Sequence, residues 1–264
     1  MYSFDYQRPA DAAAASAAAQ GDARFLAGGQ SLVQTMRLRM SQSERLVDLG
    51  GIADLKAIKV DANGVTVGAM ATHASVAANA DVRKAIPALA ELAGGIGDPM
   101  VRNMGTIGGS IANADPAACY PAAVLGLNAT IHTDRRTIAA DAFFTGLYET
   151  ALQPGELITA VSFPTAQKAA YEKYKQPASR FALVGVFVAQ TAGGVRVAVT
   201  GAKSHVFRAT QIEQALAKSF TAEAAKAVKM PTTDVNADLH GSAEYRAAMI
   251  SVIASRAVAA ALTR

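Results

Sequence analysis

Two glycine pairs, Ala27-Gly28-Gly29-Gln30-Ser31 and Thr106-Ile107-Gly108-Gly109-Ser110, constrain this chain more than any other feature. Glycine admits positive φ and lets the backbone come close to a ligand, and successive amides in such a turn form an anion-binding concavity. The first pair follows a short strand candidate, Arg24-Phe25-Leu26, and precedes a helical run in which Ser31 suits the cap position, so free amides are expected where a phosphate could sit. The second adds the hydroxyls of Thr106 and Ser110 to its backbone donors and carries no charged side chain. One glycine pair alone also serves as an ordinary loop or helix–strand junction. Two together point to one extended, phosphate-bearing dinucleotide ligand. Neither fits G-x-G-x-x-G or the P-loop pattern, so those two explanations fall away.

At 264 residues and 51% hydrophobic content, the chain can fill one large core or two moderate ones. Its net charge of +4 is scattered and there is no Trp, which disfavours a nucleic-acid role. The alanine run from Ala12 to Ala19 lacks the bulky apolar segment of a signal peptide, and Phe181 to Ala189 is too short to cross a bilayer. A single cysteine, Cys119, excludes an internal disulfide and a cysteine-ligated iron–sulfur cluster within this chain. A cytoplasmic location is the expectation.

Periodicity predicts helix over 11–20, strand over 24–26, helix over 31–40 and strand over 45–48, an alternation that suggests an α/β unit. Asn63-Gly64 between β-branched runs signals a hairpin. Helices are expected at 75–79, 87–92, 115–125 and 140–144, with strands at 130–132 and 156–163. Pro164 to Ala169 breaks the apolar pattern and marks a boundary. Beyond it, three strands (171–175, 182–190, 195–200) precede helices at 209–217, 222–228 and 244–262, an antiparallel sheet covered by helices.

The string Val101-Arg102-Asn103-Met104-Gly105-Thr106-Ile107-Gly108-Gly109-Ser110-Ile111-Ala112-Asn113-Ala114-Asp115-Pro116-Ala117-Ala118, taken with 27–31, closely resembles the FAD-binding medium subunit of molybdenum hydroxylases. Within that group it is most similar to the carbon monoxide dehydrogenase medium-chain branch. Later landmarks, Gly155-Glu156-Leu157-Ile158 and the stretch from Lys175 to Ala182, fall where that family has its own. The resemblance implies an α+β fold: an FAD-binding region of the vanillyl-alcohol-oxidase (PCMH) type over 1–165, made of two α/β subdomains (about 1–55 and 56–165), then a C-terminal antiparallel sheet with helices over 170–264.

It also implies a site. Residues Ala27, Gly28, Gly29, Gln30 and Ser31, with Thr106, Ile107, Gly108, Gly109 and Ser110, would hold the FAD pyrophosphate and neighbouring ribityl and ribose groups. Ile96 would pack against the cofactor, the Ile158 backbone would meet adenine, and Lys175 would lie near the flavin ring, unless it is simply a solvated lysine. Cys119 stands where the family usually has an acid. Either FAD is bound less tightly, or Asp115, at the i−4 position, or water replaces the lost acceptor, or Cys119 is a small buried residue. Gln30 stands where covalently flavinylated relatives carry histidine, so non-covalent FAD is expected, with His73 at the pocket edge or structural.

The function implied is electron transfer, from an iron–sulfur small subunit carrying [2Fe-2S] clusters, itself fed by a molybdenum–pterin large subunit, to an external acceptor, in a heterotrimer. An FAD-free structural or assembly subunit is the alternative. A self-contained flavin reductase would need a proton donor that the sequence does not present.

Overall fold

The computed structural model describes residues 1–263, arranged as three sheets of three, five and four strands, one two-stranded ribbon, and their helices. The first unit contains β1 (Asp5–Gln7), α1 (Ala12–Ala18), β2 (Ala23–Leu26), α2 (Leu32–Arg37) and β3 (Arg45–Asp48). Its three strands are parallel in the order β1-β3-β2. Asp11 caps α1 by accepting from the Ala14 amide at 2.8 Å. Ser31 occupies the cap position of α2 but makes no side-chain cap bond, so its hydroxyl is left over. A small core of Ala15, Val47, Leu49, Ile52 and Leu55 closes this unit and takes in Met70 and Leu157 from the next.

The second unit opens with β4 (Ile58–Asp61) and β5 (Gly64–Gly68), a hairpin turning at Asn63-Gly64. Six helices follow: α3 (His73–Ala78), α4 (Ala80–Ala85), α5 (Pro87–Gly94), α6 (Pro99–Met104), α7 (Ile107–Asn113) and α8 (Tyr120–Gly126). The chain then forms β6 (Thr130–Thr133), β7 (Thr137–Ala139), β8 (Phe144–Gly146), β9 (Glu149–Thr150) and β10 (Ile158–Pro164). Five of these strands make a sheet of order β4-β5-β10-β6-β7 that is antiparallel throughout, whereas the first unit is parallel. Polar caps set the short helices: Thr72, Asn79, Asp98 and Thr106 each accept an amide from the first turn of α3, α4, α6 and α7.

Two expectations need correction here. The helix expected over 140–144 is a single 3₁₀ turn at Ala140–Ala142 followed by β8. The helix expected from Asp115 begins only at Tyr120, because the Asp115 carboxylate accepts from the Ala117 amide at 2.8 Å and fixes a turn.

The third sheet comprises β11 (Lys168–Lys175), β12 (Ala182–Thr191), β13 (Gly194–Thr200) and β14 (Phe207–Arg208), antiparallel in that order. Helices α9 (Thr210–Lys218), α10 (Ala222–Ala227) and α11 (Ala243–Leu262) follow. Strand β12 is buried on both faces, which is why it reads as a continuous apolar run. Val184, Val186 and Val188 meet Ile250, Ala254 and Val258 of α11, while Phe187 and Ala189 join the core of the second unit. Helix α11 is long and apolar enough to cross a membrane by length and composition, but its apolar face is used in this core. Hydrogen bonds also join the second and third units: the Gly201 amide donates to the Pro116 carbonyl at 2.7 Å and the Thr200 hydroxyl to the Ala118 carbonyl at 2.8 Å.

Candidate cofactor-binding site

A cavity of about 650 Å³ opens where the three units meet, within the range of pockets that hold small molecules and cofactors. Its walls include Ala27, Gly28, Gly29, Gln30 and Ser31 from the first unit. The second unit contributes Ile96, Thr106, Gly108, Gly109, Ser110, Asp115, Cys119 and Ile158. Lys173 and Ser179 to Phe181 come from the third.

The first glycine pair forms a cradle. Gly29 has φ of 71°, the left-handed region that glycine tolerates. Gly28 lies against the backbone of 104–105: a Cβ there would overlap the Met104 carbonyl oxygen and sit 2.9 Å from Gly105 Cα. From Gly28 to Leu32, the amides donate to no protein acceptor, while the Gly29 and Ser31 carbonyls receive Val33 and Thr35. Five successive free amides lie along a wall of the cavity, the arrangement an anion requires.

The second glycine pair differs from the expected turn. Gly108 and Gly109 form the first turn of α7 and neither has positive φ. Their amides are already committed, Gly108 to the Ala69 carbonyl at 2.8 Å and Gly109 to Thr106 Oγ1 at 3.1 Å; Ile107 donates to Ala71 and Ser110 to Thr106. Glycine is required at 108 for close packing, since a Cβ would come within 2.6 Å of Ala69 Cβ. What this segment offers the cavity is shape and two hydroxyls. Ile107 does not line it; the side chain is fully buried in the core.

Lys175 also lies away from the cavity, and Lys173 takes its place. Residues two apart on a strand share a face, but the β11–β12 register shifts between Tyr174 and Lys175 and leaves Lys175 exposed. Lys173 Nζ donates to the Gly95 carbonyl at 2.9 Å and to Cys119 Sγ at 3.3 Å. Asp115 and Cys119 both line the cavity, although the turn that separates them removes the helical i−4 relation.

Two further lining residues carry perturbed acid–base behaviour. His73 is 5% exposed, and burial first, then the Arg102 charge, pushes its pKa down to about 4, so the imidazole is neutral. Its Nδ1 is buried without a partner. The Glu156 carboxylate receives Arg136 at 2.9 Å, Thr133 Oγ1 at 2.9 Å and the Gln153 amide at 2.7 Å. The hydrogen bonds from Arg136 lead in holding its pKa at about 2, against the opposing effect of desolvation. This pair orders the segment that brings Ile158 to the cavity.

Residues 2–166 match the family described as the FAD binding domain in molybdopterin dehydrogenase. The chain belongs to this family. It is 34% identical to the carbon monoxide dehydrogenase medium chain of Hydrogenophaga pseudoflava, over 99% of this chain and 98% of that one. It is 33% identical to the nicotine 6-hydroxylase medium subunit of Paenarthrobacter nicotinovorans, covering 92% and 91%. The structure superposes on quinoline 2-oxidoreductase from Pseudomonas putida 86 with a TM-score of 0.89 at 28% identity, over 99% and 98% of the two chains. The cofactor of the family is FAD, and the cavity fits it: volume, free amides on the 28–32 segment for a diphosphate, apolar cover from Ile96 and Ile158, and a cation at Lys173.

Among the lining residues, Lys173, Glu156 and Phe181 were not among the site residues expected from sequence. The signal for Lys173 was a lysine in mid-strand of an otherwise half-buried β11.

Proposed function

We propose that this chain is the FAD-carrying electron-transfer subunit of a multi-subunit molybdenum hydroxylase, receiving electrons from an iron–sulfur small subunit and delivering them to an external acceptor. The run of free amides from Gly28 to Leu32, set in a cavity walled by all three units, carries the reading. FAD, when bound, supplies a carrier that accepts and releases electrons singly or in pairs.

The chain's residues do the holding. The 28–32 amides receive the diphosphate charge, Thr106 and Ser110 supply hydroxyls, and Ile96 and Ile158 exclude water from an apolar face. Lys173, tethered to the Gly95 carbonyl, holds a positive charge in the cavity that favours electron-rich ring oxygens and nitrogens. His73, kept neutral, adds no competing charge.

Full-length similarity to medium chains supports partner subunits; on our reading these are a molybdenum–pterin large subunit and a small subunit bearing [2Fe-2S] clusters, which form a heterotrimer with this chain in the cytoplasm. FAD is held without a covalent bond, as Gln30 rather than histidine occupies the first glycine segment. The test is to purify the chain with its co-purifying partners and record a visible spectrum and a denaturing gel. Flavin and iron–sulfur absorbance with two further polypeptides is expected, and acid precipitation should leave all flavin in the supernatant. A colourless three-subunit complex would overturn the cofactor role in favour of a structural subunit, and a yellow pellet would overturn the non-covalent assignment.

A further inference from the structure

The sulfur of Cys119 sits beside Lys173 and Tyr171, and of these three side chains the cofactor calls on the lysine alone. Lys173 Nζ lies 3.3 Å away while also donating to the Gly95 carbonyl at 2.9 Å. The Tyr171 hydroxyl is on the same side of β11, buried against Cys119 without a well-aligned hydrogen bond, and its pKa is raised well above the ordinary value by burial and then by Cys119. Cys119 is only 5% exposed, yet both it and Lys173 line the cavity, so a small neutral solute can reach them. No second cysteine exists to form a disulfide. An oxidised Cys119 therefore has the Lys173 amine within bonding reach.

We propose that Cys119 and Lys173 are a peroxide-dependent crosslinking site, in which sulfur and nitrogen become joined through one oxygen atom. One hydrogen peroxide converts the thiol to a sulfenic acid and leaves as water. Lys173 gives a proton to solvent to become the free amine. A second hydrogen peroxide then removes two electrons as the O–N bond forms, the S–OH and one N–H hydrogen leave, and two waters result. Overall, thiol, amine and two peroxides give S–O–NH and three waters: one S–H and one N–H bond break, S–O and O–N bonds form, and the four electrons lost reduce both peroxides. The 3.3 Å gap suits one bridging atom, whereas a direct S–N bond would pull Lys173 off Gly95. The link would tie the entry of α8 to β11, covalently joining the second and third units, and would withdraw the Lys173 charge from the cavity. It rests on the contact between the two side chains, one of which the proposed function also places in the cofactor cavity.

The purified complex is treated with hydrogen peroxide, digested without reductant and analysed by mass spectrometry, with flavin content of the same sample read separately by absorbance. The expected product joins the peptides carrying Cys119 and Lys173 at their summed mass plus one oxygen less two hydrogens. It disappears on prolonged thiol reduction and is absent from Cys119→Ser and Lys173→Arg. Exposed Met40 and Met100, at 75% and 77%, report that oxidant was sufficient by becoming sulfoxides. Three results overturn the proposal: Cys119 carried to sulfinic or sulfonic acid with Lys173 free, Cys119 still reduced once those methionines are oxidised, or a joined mass lacking the oxygen.

Discussion

Replacing Gly28 with alanine should damage both the fold and FAD retention. The added Cβ would overlap the Met104 carbonyl oxygen and stand 2.7 Å from its carbonyl carbon and 2.9 Å from Gly105 Cα, all backbone atoms that no rotamer change can clear. Restoring ordinary carbon contacts of about 3.5 Å requires the 28–32 segment and the end of α6 to part by roughly 1 Å. Overpacking of this kind costs about 1–3 kcal/mol, and for a chain of this size each kcal/mol lowers Tm by about 2–4 °C. The displaced segment is the one with free amides, so FAD affinity should fall at least about tenfold, equivalent to ~1.4 kcal/mol. Thermal unfolding of the FAD-free protein and FAD titration by fluorescence measure the two effects separately. Gly193→Ala, whose nearest neighbour would be Thr191 Oγ1 at 3.7 Å, is the reference, and Gly109→Ala, meeting Thr106 Oγ1 at 3.0 Å, should fall between. Wild-type Tm and wild-type FAD affinity in Gly28→Ala would refute the close approach of the two segments as the basis of the site.

Glu156 has a folded pKa near 2, below its ordinary 4.5, so its contribution is complete above about pH 4.5 and lost as pH falls towards 2; Arg136 is partly exposed, which reduces the expected effect to about 2 kcal/mol. Denaturant unfolding against pH should show that acid limb flattened in Glu156→Gln. His73 is held near 4 from 6.5, so the unfolded chain takes up its proton first and stability falls as pH drops from 6.5 to about 4, by up to about 3 kcal/mol. His73→Gln should remove this dependence, and an unchanged pH profile would show that His73 is not buried neutral. Cys119→Asp places a carboxylate beside Lys173, 3.3 Å from the present sulfur; FAD should bind about tenfold more tightly through the added acceptor, and weaker binding by titration would show a site rebuilt around sulfur.

The elements legible in the sequence are those whose periodicity and packing agree. The third unit was read almost residue by residue, because β12 is an unbroken apolar run buried on both faces and α11 offers five turns of one apolar stripe. What was missed has identifiable causes. Strand β1 is exposed at every residue and so shows no alternation, and β8 and β9 have three and two residues, too few to show any. Helix α6 carries no buried residue and is held by its Asp98 cap and Pro99. Helix α7 was read as a glycine turn, since its first turn contains the two residues with the poorest non-proline helix propensity; the Thr106 cap and the fit of Gly108 onto Ala69 outweigh that cost.

The same conflict explains the site. The two glycine pairs look alike as sequence, yet they have different physical jobs. At 28–29, glycine supplies a positive φ and leaves amides without partners, a cost repaid only when something anionic sits there. At 108–109, glycine lets a helix press onto a strand, and every amide finds a protein acceptor. The family resemblance points to Lys175 where the cavity holds Lys173, and the register shift at the end of β11 that separates the two leaves no mark on the sequence. A composition-level match therefore located the cavity wall, while the division of labour within it, free amides on one segment and close packing on the other, depends on where each N–H goes. That division predicts that substitutions at 28–29 should affect ligand retention beyond their effect on folding, whereas substitutions at 108 should affect the two in proportion.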